Sequence, residues 1–376
     1  MKELLVLFLK LGVTAFGGPA AHIAMMEDEV VRRRKWVSHE HFLDLLSATN
    51  LIPGPNSTEM AMHIGYVRAG WKGVCVAGLS FVLPAVVISL VLAHLYVVYG
   101  AIPQLEPIVA GVRPGIIAVI LVAVFRLSKP VMRSRFAGGL GALVVLLNLL
   151  GVDEVMLLIG SGVLALLWFQ RQRLNESLSA FMTLLPQAGS PAAGTTQFEA
   201  MNASLAGLGL YFLKIGSILY GSGYVLVAFL QSGLVDTRHW LTQNQLFDAV
   251  AVGQFTPGPV LSTATFIGYL ILGIPGATVA TVGIFLPSFV FVLISNPFIP
   301  KVRKSPMTAA LLDGVNAASL GLMLAVTIKL ALSALSSPVP WIIFLLASFV
   351  IVRWNVNAAW IVTASALLGW LLSHGW

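Results

Sequence analysis

Apolar residues form twelve long segments along the chain, six in each half, and short polar loops separate them. The first half carries segments at about 3–25, 42–67, 72–99, 106–127, 136–150 and 154–169. The second half carries segments at about 205–231, 246–270, 273–297, 309–333, 338–352 and 357–373. Several of them exceed the roughly 18 to 20 residues that an α-helix needs to cross a bilayer. The pattern predicts an all-α polytopic membrane protein.

The two halves repeat one another, and the repeated stretches contain helix-breaking residues. FLKLGVTAFGGP at 8–19 returns as FLKIGSILYGSG at 212–223, and NLIPGPNSTEMAMHIGY at 50–66 returns as QFTPGPVLSTATFIGY at 254–269. The offset is 204 up to the Pro-Gly-Pro and 203 from Gly65 onward. A duplicated apolar half with paired Gly/Pro breaks is typical of secondary transporters, in which the breaks form the binding site.

The same repeat predicts how the chain is divided. We expect a first repeat over 1–170 and a second repeat over 201–376. Residues 171–200 between them lose apolar density and gain Gly, Pro, Ser and Thr. This composition is typical of a linker.

Composition agrees with a membrane location. The 376 residues are 58% hydrophobic and only 10% charged, whereas soluble domains carry about 25% charged residues. The net charge of +7 does not indicate nucleic-acid binding, because the basic residues lie in short loops, where they report membrane topology. The single cysteine, Cys75, excludes an internal disulfide and a cysteine-based metal cluster. No metal is expected at His39, Glu40 and His41 either, because they are adjacent and lack the i, i+4 spacing of a helical metal site.

Lysine and arginine are distributed oppositely in the two halves. In the first half the loops 26–41 and 68–72, on both sides of the second segment, are positive, and the loop 100–105 has no basic residue. In the second half the equivalents of the first two loops are nearly uncharged, whereas the loop 298–306 carries three basic residues. Because positive loops face the cytoplasm, we expect the halves to be inverted-topology repeats.

The second segment of each half has both ends on the same side in this scheme. Such a segment is a re-entrant hairpin, and the Pro-Gly-Pro at its middle supplies the reversal. About five crossings then remain in each half, and an odd number is what a duplicated unit needs in order to insert inverted. The alternative is an ordinary kinked span, with both halves pointing the same way.

The breaks are suited to binding an anion. Proline cannot donate a backbone hydrogen bond, glycine permits a sharp turn, and Asn, Ser and Thr are good helix N-caps. The N–H groups and positive dipole end of a half-helix that starts there favour negative charge. The first Pro-Gly-Pro break and its cap are Pro53, Gly54, Pro55, Asn56, Ser57 and Thr58. The other breaks are Gly17, Gly18 and Pro19; Gly221 and Ser222; and Pro257, Gly258 and Pro259.

Charged residues inside the apolar segments are further candidates. Lys10 and Lys214 occupy equivalent positions and would make an electropositive pocket, unless they extend to a nearby interface. Glu59 follows the first Pro-Gly-Pro and is a candidate for carrying a coupling proton. The alternative for Glu59 is that its charge stabilises the first turn of the half-helix.

Two other polar residues lie in or near these segments. His22 follows the first break and is a candidate hydrogen-bond donor, although a lone membrane histidine is more often a packed polar residue. Arg113 lies near the middle of the fourth segment, opposite Asn316 in the second copy. It is a candidate for contacting the anion or for pairing with a carboxylate such as Glu106.

These motifs resemble those of the chromate ion transporter family, long-chain type. The likeness rests on FGGP followed by AHI and Met at 16–25, on 50–66, on WKGVCVAGLSFVLP at 71–84 and on the second Pro-Gly-Pro copy. It covers essentially the whole chain apart from the linker. The second copy departs from the pattern, because GSG at 221–223 replaces Gly-Gly-Pro and polar residues are fewer. This indicates that the first half contributes more of the substrate contacts.

The resemblance implies a multi-pass carrier of the bacterial inner membrane that exports chromate and thereby confers chromate resistance. Sulfate, the isosteric dianion, is the related substrate. The expected partners are this oxyanion and the lipid bilayer, with a homodimer as one option for assembly. The long-chain type resembles a fusion of two short units that insert in opposite orientations.

The sequence lacks the motifs of other functional classes. There is no GxxxxGK[ST] motif, so a gradient or a partner must drive transport. There is also no Rossmann glycine fingerprint, haem signature or HExxH motif, and we expect neither a cofactor nor an enzyme. Uptake of sulfate or another oxyanion, and passive conduction through an anion channel, are the alternatives.

Overall fold

The computed structural model describes residues 1–15, 19–49, 52–99, 106–132, 134–174, 203–220, 223–296, 306–354 and 356–373. Regular structure within these ranges is helical, and they contain no β-strand. The expected all-α fold is therefore confirmed. Gly17, Gly18, Gly221, Ser222 and most of the predicted linker lie outside the described residues.

The two halves have matching helices. In the described part of the first half they are α1 (Lys2–Thr14), α2 (Pro19–Glu27), α3 (His39–Thr49), α4 (Asn56–Tyr99), α5 (Glu106–Val131), α6 (Arg135–Leu149) and α7 (Glu154–Leu174). In the second half they are α8 (Leu205–Ile218), α9 (Leu226–Leu230), α10 (Gln243–Phe255), α11 (Thr263–Ser295), α12 (Pro306–Ala334), α13 (Pro338–Trp354) and α14 (Ala358–Ser373).

The long helix α4 contains a sharp reversal. Ala69 and Gly70 leave helical geometry, and Gly70 has a φ of 60°. The backbones of Gly65 and Gly73 touch across the turn, so there is no space for a side chain at either position. A tight helical hairpin therefore joins 56–68 to 71–99. The second copy repeats it in α11, where Leu272 and Gly273 form the turn.

The Pro-Gly-Pro segments have the geometry of re-entrant hairpins. Helix α3 has 11 residues, which corresponds to a length of about 16 Å, and the part of α4 before its turn is only slightly longer. Both are too short to cross a hydrocarbon core of about 30 Å. They lie on either side of the Pro-Gly-Pro, which is the arrangement that a re-entrant hairpin needs.

Five of the described helices are long and apolar enough to cross a membrane. They lie at Asn56–Tyr99, Gly111–Lys129, Glu154–Arg171, Val260–Ser295 and Pro306–Ala334. Shorter apolar helices, including α6, α8, α13 and α14, accompany them. The chain is a multi-pass membrane protein.

The two halves interlock. Helix α5 of the first half packs against α13 and α14 of the second, and α12 of the second half packs against α6 and α7 of the first. Small residues allow these helices to approach closely. A side chain at Gly111 would lie 2.7 Å from the Cα of Gly369, and one at Gly314 would lie 2.5 Å from Ala165. The halves therefore share one packed interior.

Irregular backbone is repeated as well. Lys35 and His239, which are equivalent, both adopt a positive φ, at 52° and 53°. A π-helical turn precedes each of them, at Asp28–Arg33 and at Gln231–Thr237. A positive φ is uncommon for residues other than glycine. Its recurrence shows that the two copies share local backbone geometry as well as sequence.

Candidate functional site

The Pro-Gly-Pro break of each half is bonded to the other half. The Gly54 N–H donates to the Leu219 carbonyl at 2.7 Å, and the Gly258 N–H donates to the Ala15 carbonyl at 2.9 Å. These pairs are equivalent, because Gly258 is the copy of Gly54 and Leu219 is the copy of Ala15. A reciprocal exchange of this kind is the mark of a pseudo-two-fold axis. The two Pro-Gly-Pro breaks, together with Ala15 and Leu219, are thus gathered around this axis.

His22 supports one of these cross-half bonds. Its Nε2 lies 3.0 Å from the Ala15 carbonyl, which already accepts a bond from Gly258. The ring is buried and packs edge-on against Phe81, with 5.6 Å between ring centroids. His22 therefore acts as a positioning residue for the second Pro-Gly-Pro, through the backbone of the first segment.

Glycine is required at both break centres. Gly54 has a φ of 145° and Gly258 a φ of 89°, where residues with a side chain are strained. A side chain at Gly54 would also collide with the Glu59 carboxyl and with the Ser288 hydroxyl. The backbone at the first break is therefore in direct contact with a buried carboxyl group.

A half-helix begins directly after the first break, as the sequence predicts. Helix α4 starts at Asn56, and Pro53, Gly54, Pro55, Ser57 and Thr58 are buried. The Pro55 carbonyl accepts from the N–H of Thr58 at 2.8 Å and from that of Glu59 at 3.0 Å. These two bonds close the first turn of the half-helix directly beside the break. The second copy has the same arrangement, with the Ser262 N–H donating to Pro259 at 3.0 Å.

Glu59 is fully buried, and neither of its carboxyl oxygens has a hydrogen-bond partner of good geometry. Its polar neighbours are Ser288 of α11 and Tyr220, which lies just after α8. An unpartnered buried carboxyl is costly and is rarely kept without a function. Glu59 also lies in the first turn of α4, where a carboxylate can stabilise the start of the helix.

The two lysines do not meet at the breaks. The Lys10 Nζ lies 3.1 Å from the Glu29 carboxylate, and the Lys10 side chain is 58% exposed. Lys214 also has an exposed side chain. The expected electropositive pocket between the two lysines is therefore wrong, because the face of each helix that packs inward is apolar, as in α1, where Leu4, Leu7, Phe8 and Leu11 are buried.

Glu29 is the centre of a charged cluster instead. Besides Lys10, Arg34 lies 3.4 Å and Arg33 3.6 Å from its carboxylate oxygens. The hydrogen bond from Lys10, followed by the contact with Arg34, lowers the pKa of Glu29 below its ordinary value. Lys10 is thus held in a structural ion pair in the described conformation.

Arg113 faces a carboxylate of the other half. It acts electrostatically on Asp248 of α10, whose Oδ2 accepts a hydrogen bond of 2.7 Å from Tyr96. The side chain of Glu106, its expected partner, lies outside the described residues. Asp248 is thus a described carboxylate that interacts with the Arg113 charge, and the Arg113 Nε is buried without a hydrogen-bond partner.

Sequence reasoning missed Ser288, Tyr220 and Tyr96. The sequence does contain a signal for Ser288, because this polar residue is replaced by Ala85 in the first half. Glu59 is a similar case, since the second half has no carboxylate at its place. Both departures from the repeat fall on residues that meet in space. Tyr96 departs from the repeat in a similar way, because its copy is the apolar Ile299.

The described residues beside the second Pro-Gly-Pro leave little space. Beside the second Pro-Gly-Pro, a cavity of about 10 Å³ is lined by Gln254, Thr256, Gly258 and Asn357, among others. This is room for about one water molecule. Among the described residues there is no group of three or more His, Cys, Asp or Glu that could hold a metal ion.

Comparison with known proteins identifies relatives of the whole chain. The chain is 32% identical to the chromate transport protein of Cupriavidus metallidurans over 98% of its own length and 92% of that protein. It is 32% identical to a probable chromate transport protein of Synechococcus elongatus over 92% of its length and 88% of the relative. An uncharacterized transporter of Methanocaldococcus jannaschii is 29% identical over 97% of the chain and 92% of the relative.

The family model described as "Chromate transporter" matches twice, once in each half, at residues 2–166 and 206–370. No solved structure matches the chain. The double match agrees with the repeat found in the sequence and with the reciprocal bonds between the two Pro-Gly-Pro breaks. The chain belongs to the chromate transporter family.

Proposed function

We propose that the protein is a secondary active transporter that exports chromate, or a related tetrahedral oxyanion such as sulfate, across a bacterial inner membrane and confers chromate resistance. The observation that carries this proposal is the pair of reciprocal bonds from Gly54 to Leu219 and from Gly258 to Ala15, which joins the chain breaks of both halves. Family membership supplies the substrate class.

We propose that the anion binds where the half-helices start. Helix α4 begins at Asn56, beside the break, and each helix N-terminus carries roughly half a positive elementary charge. Asn56 and Ser57 supply the backbone donors, and Ser57 and Thr58 supply buried hydroxyls. The Thr58 hydroxyl has no partner in the described structure. Gly17, Gly18, Gly221 and Ser222 stay in the proposal on sequence grounds.

We propose that transport is coupled to protons through Glu59. Its carboxyl group is fully buried beside the break and lacks a hydrogen-bond partner. A negative charge there would repel a dianion, so protonation of Glu59 and occupation of the neighbouring site are expected to depend on one another. The second copy has Ser262 and Thr263 at this place, so we assign coupling to the first half alone.

The closed breaks favour a carrier over a channel. A channel needs a continuous pore, whereas here both Pro-Gly-Pro segments are buried and bonded across the axis. Uptake of sulfate by the same site is the second candidate. It uses the same anion contacts and differs in the direction of net flux.

We also keep the proposed division into repeats over 1–170 and 201–376 with a linker over 171–200.

The test is chromate accumulation in cells that express the protein, with excess sulfate as competitor and with the proton gradient collapsed. Export predicts lowered accumulation that is lost when the gradient collapses, and relief by sulfate would place both anions at one site. Unchanged or raised accumulation would reject export. Asn56→Ala should abolish the effect, whereas Lys214→Ala, the outward-facing control, should preserve it.

A further inference from the structure

Four polar side chains face one another across α4 and α11. Glu59 and His63 are four residues apart on α4 and therefore lie on one face of that helix. Ser288 on α11 and Asn296, which directly follows α11 about two turns later, lie opposite them. Ser288 lies beside Glu59, since a side chain at Gly54 would meet both of them, and the Asn296 side chain comes near the His63 ring without a hydrogen bond of good geometry. We call these four residues the polar file.

The polar file connects the first break with the end of α11. Glu59 and His63 are both fully buried, and neither nitrogen of the His63 ring has a hydrogen-bond partner of good geometry. Asn296 immediately follows α11 and is partly exposed, and its Nδ2 donates to the Val292 carbonyl at 2.8 Å. The file therefore runs from the break to an accessible helix end.

The same two helices also contribute a buried apolar cluster. Met62 and Val74 of α4 pack with Val292 of α11, and Tyr66 and Phe289 pack against them. An ordered water needs two to four polar partners, which apolar side chains do not supply. A proton that reaches the fully buried Glu59 from the end of α11 therefore needs a side chain that can accept it and pass it on.

The second copy shows that His63 is not needed to fill space. Its equivalent is Phe266, which is fully buried at the same place in the repeat. The residues opposite are also apolar in that copy, since Ala85 stands for Ser288 and Ala93 for Asn296. A packing role is thus met by a phenyl ring, and the ionisable version occurs only beside the carboxyl group.

We propose that His63 is the proton-relay residue between Glu59 and the membrane face at the end of α11. This proposal rests on proton coupling at Glu59. A proton from water at the Asn296 end binds one ring nitrogen, and the other nitrogen releases its proton to the Glu59 carboxylate. One proton is moved, and His63 returns to its neutral form as the other tautomer.

The titratable groups on the other elements packed against α4 are engaged elsewhere or lie nearer to Glu59. On α1, Lys10 is paired with Glu29. On α2, His22 contacts the Ala15 carbonyl. On α3, His39 lies 3.3 Å from Glu27, and Asp44 has interactions of its own. On α10, Asp248 accepts from Tyr96. Helix α11 carries no charged residue, the hydroxyl of its Tyr269 lies 2.8 Å from the His94 Nδ1, and Glu59 acts electrostatically on Tyr220.

The test separates anion movement from proton movement in proteoliposomes that contain the full chain. Counterflow of labelled chromate at equal concentrations on both sides requires no net proton transfer. Net chromate transport driven by an imposed pH gradient requires it, and a pH dye follows the proton. The variants are His63→Phe, which copies the second repeat, Glu59→Gln, and Met62→Leu as the packing control.

We expect His63→Phe to lower gradient-driven transport at least about tenfold while counterflow stays within about twofold of the parent protein. Added imidazole, a small proton carrier, should restore part of the lost rate, and Met62→Leu should behave as the parent. Normal gradient-driven transport by His63→Phe, or loss of counterflow with it, would overturn the relay. Normal gradient-driven transport by Glu59→Gln would instead overturn the proposed coupling itself.

Discussion

The tight hairpin inside α4 predicts a large difference between two Gly→Ala substitutions. A methyl group at Gly65 would overlap the Gly73 carbonyl oxygen and would lie 2.7 Å from the Gly73 carbonyl carbon and 2.8 Å from the Ala77 Cβ. Carbon atoms in contact prefer about 3.5 Å or more, so the two helices must separate by about 0.8 Å. Two of the three obstructing atoms belong to the backbone and cannot rotate away.

The expected cost follows from these contacts. Overpacking of this kind destabilises by about 1 to 3 kcal/mol, and the rigid backbone places Gly65→Ala near the upper end. Alanine is more favourable than glycine in a helix by about 1 kcal/mol, so the free energy of unfolding should fall by about 2 kcal/mol in total. At Gly160 on α7, a methyl group would have no atom within 4 Å, so Gly160→Ala gains the propensity alone.

The two variants should therefore differ by about 3 kcal/mol, which corresponds to about 4 °C in melting temperature for a chain of this length. Thermal unfolding of the purified protein in detergent, followed by tryptophan fluorescence, measures this difference. Gly268→Ala, in the equivalent hairpin of α11, should lose as much as Gly65→Ala. Equal melting temperatures for Gly65→Ala and Gly160→Ala would refute the close contact between the two helices.

Three more predictions concern the site and its supports. Gly54→Ala should abolish chromate export while the protein still reaches the membrane, because the new methyl group displaces the Glu59 carboxyl. Chromate-resistance assays, with immunoblots of the membrane fraction, measure this effect, and normal resistance would contradict it. Glu29→Gln should lower the melting temperature at neutral pH, since Lys10 lowers the pKa of Glu29 and the ionised form stabilises the fold. That deficit should shrink as the pH falls through the lowered pKa, and a pH-independent deficit would argue against the ion pair. Tyr96→Phe removes a 2.7 Å hydrogen bond between the halves and should lower the melting temperature by about 2 to 4 °C; an unchanged value would show that the bond contributes nothing to stability.

Much of the fold could be predicted because duplication marks the positions that matter. The Pro-Gly-Pro break at 53–55 and its copy at 257–259 are visible in the sequence, and the structure brings both to the pseudo-two-fold axis. The tight helical turns inside α4 and α11 could not be predicted in the same way. A two-residue turn and a short loop give the same hydrophobicity pattern, although Gly70 and Gly273 mark the turns in hindsight.

The side-chain partners within the site could not be predicted, because they depend on which helices meet. Ser288 follows Glu59 by more than 200 positions, and only packing of α11 against α4 brings them together. The two lysines show a different kind of error, because the sequence pattern placed them in a pocket and the structure leaves their side chains exposed. An apolar segment indicates burial on average, but it does not say which face of the helix is outward, and Lys10 lies on the outward face.

The reciprocal bonds between the two breaks also bear on how such a protein can evolve. In a dimer of identical chains, every substitution would occur at both equivalent positions, so a carboxyl group beside one break would also stand beside the other. Joining the two copies in one chain removes that constraint. Glu59 and Ser288 could then arise on one side of the axis while Ser262 and Ala85 remained on the other. The fusion thus allows one site to specialise in ionisable chemistry while its twin keeps only the backbone geometry.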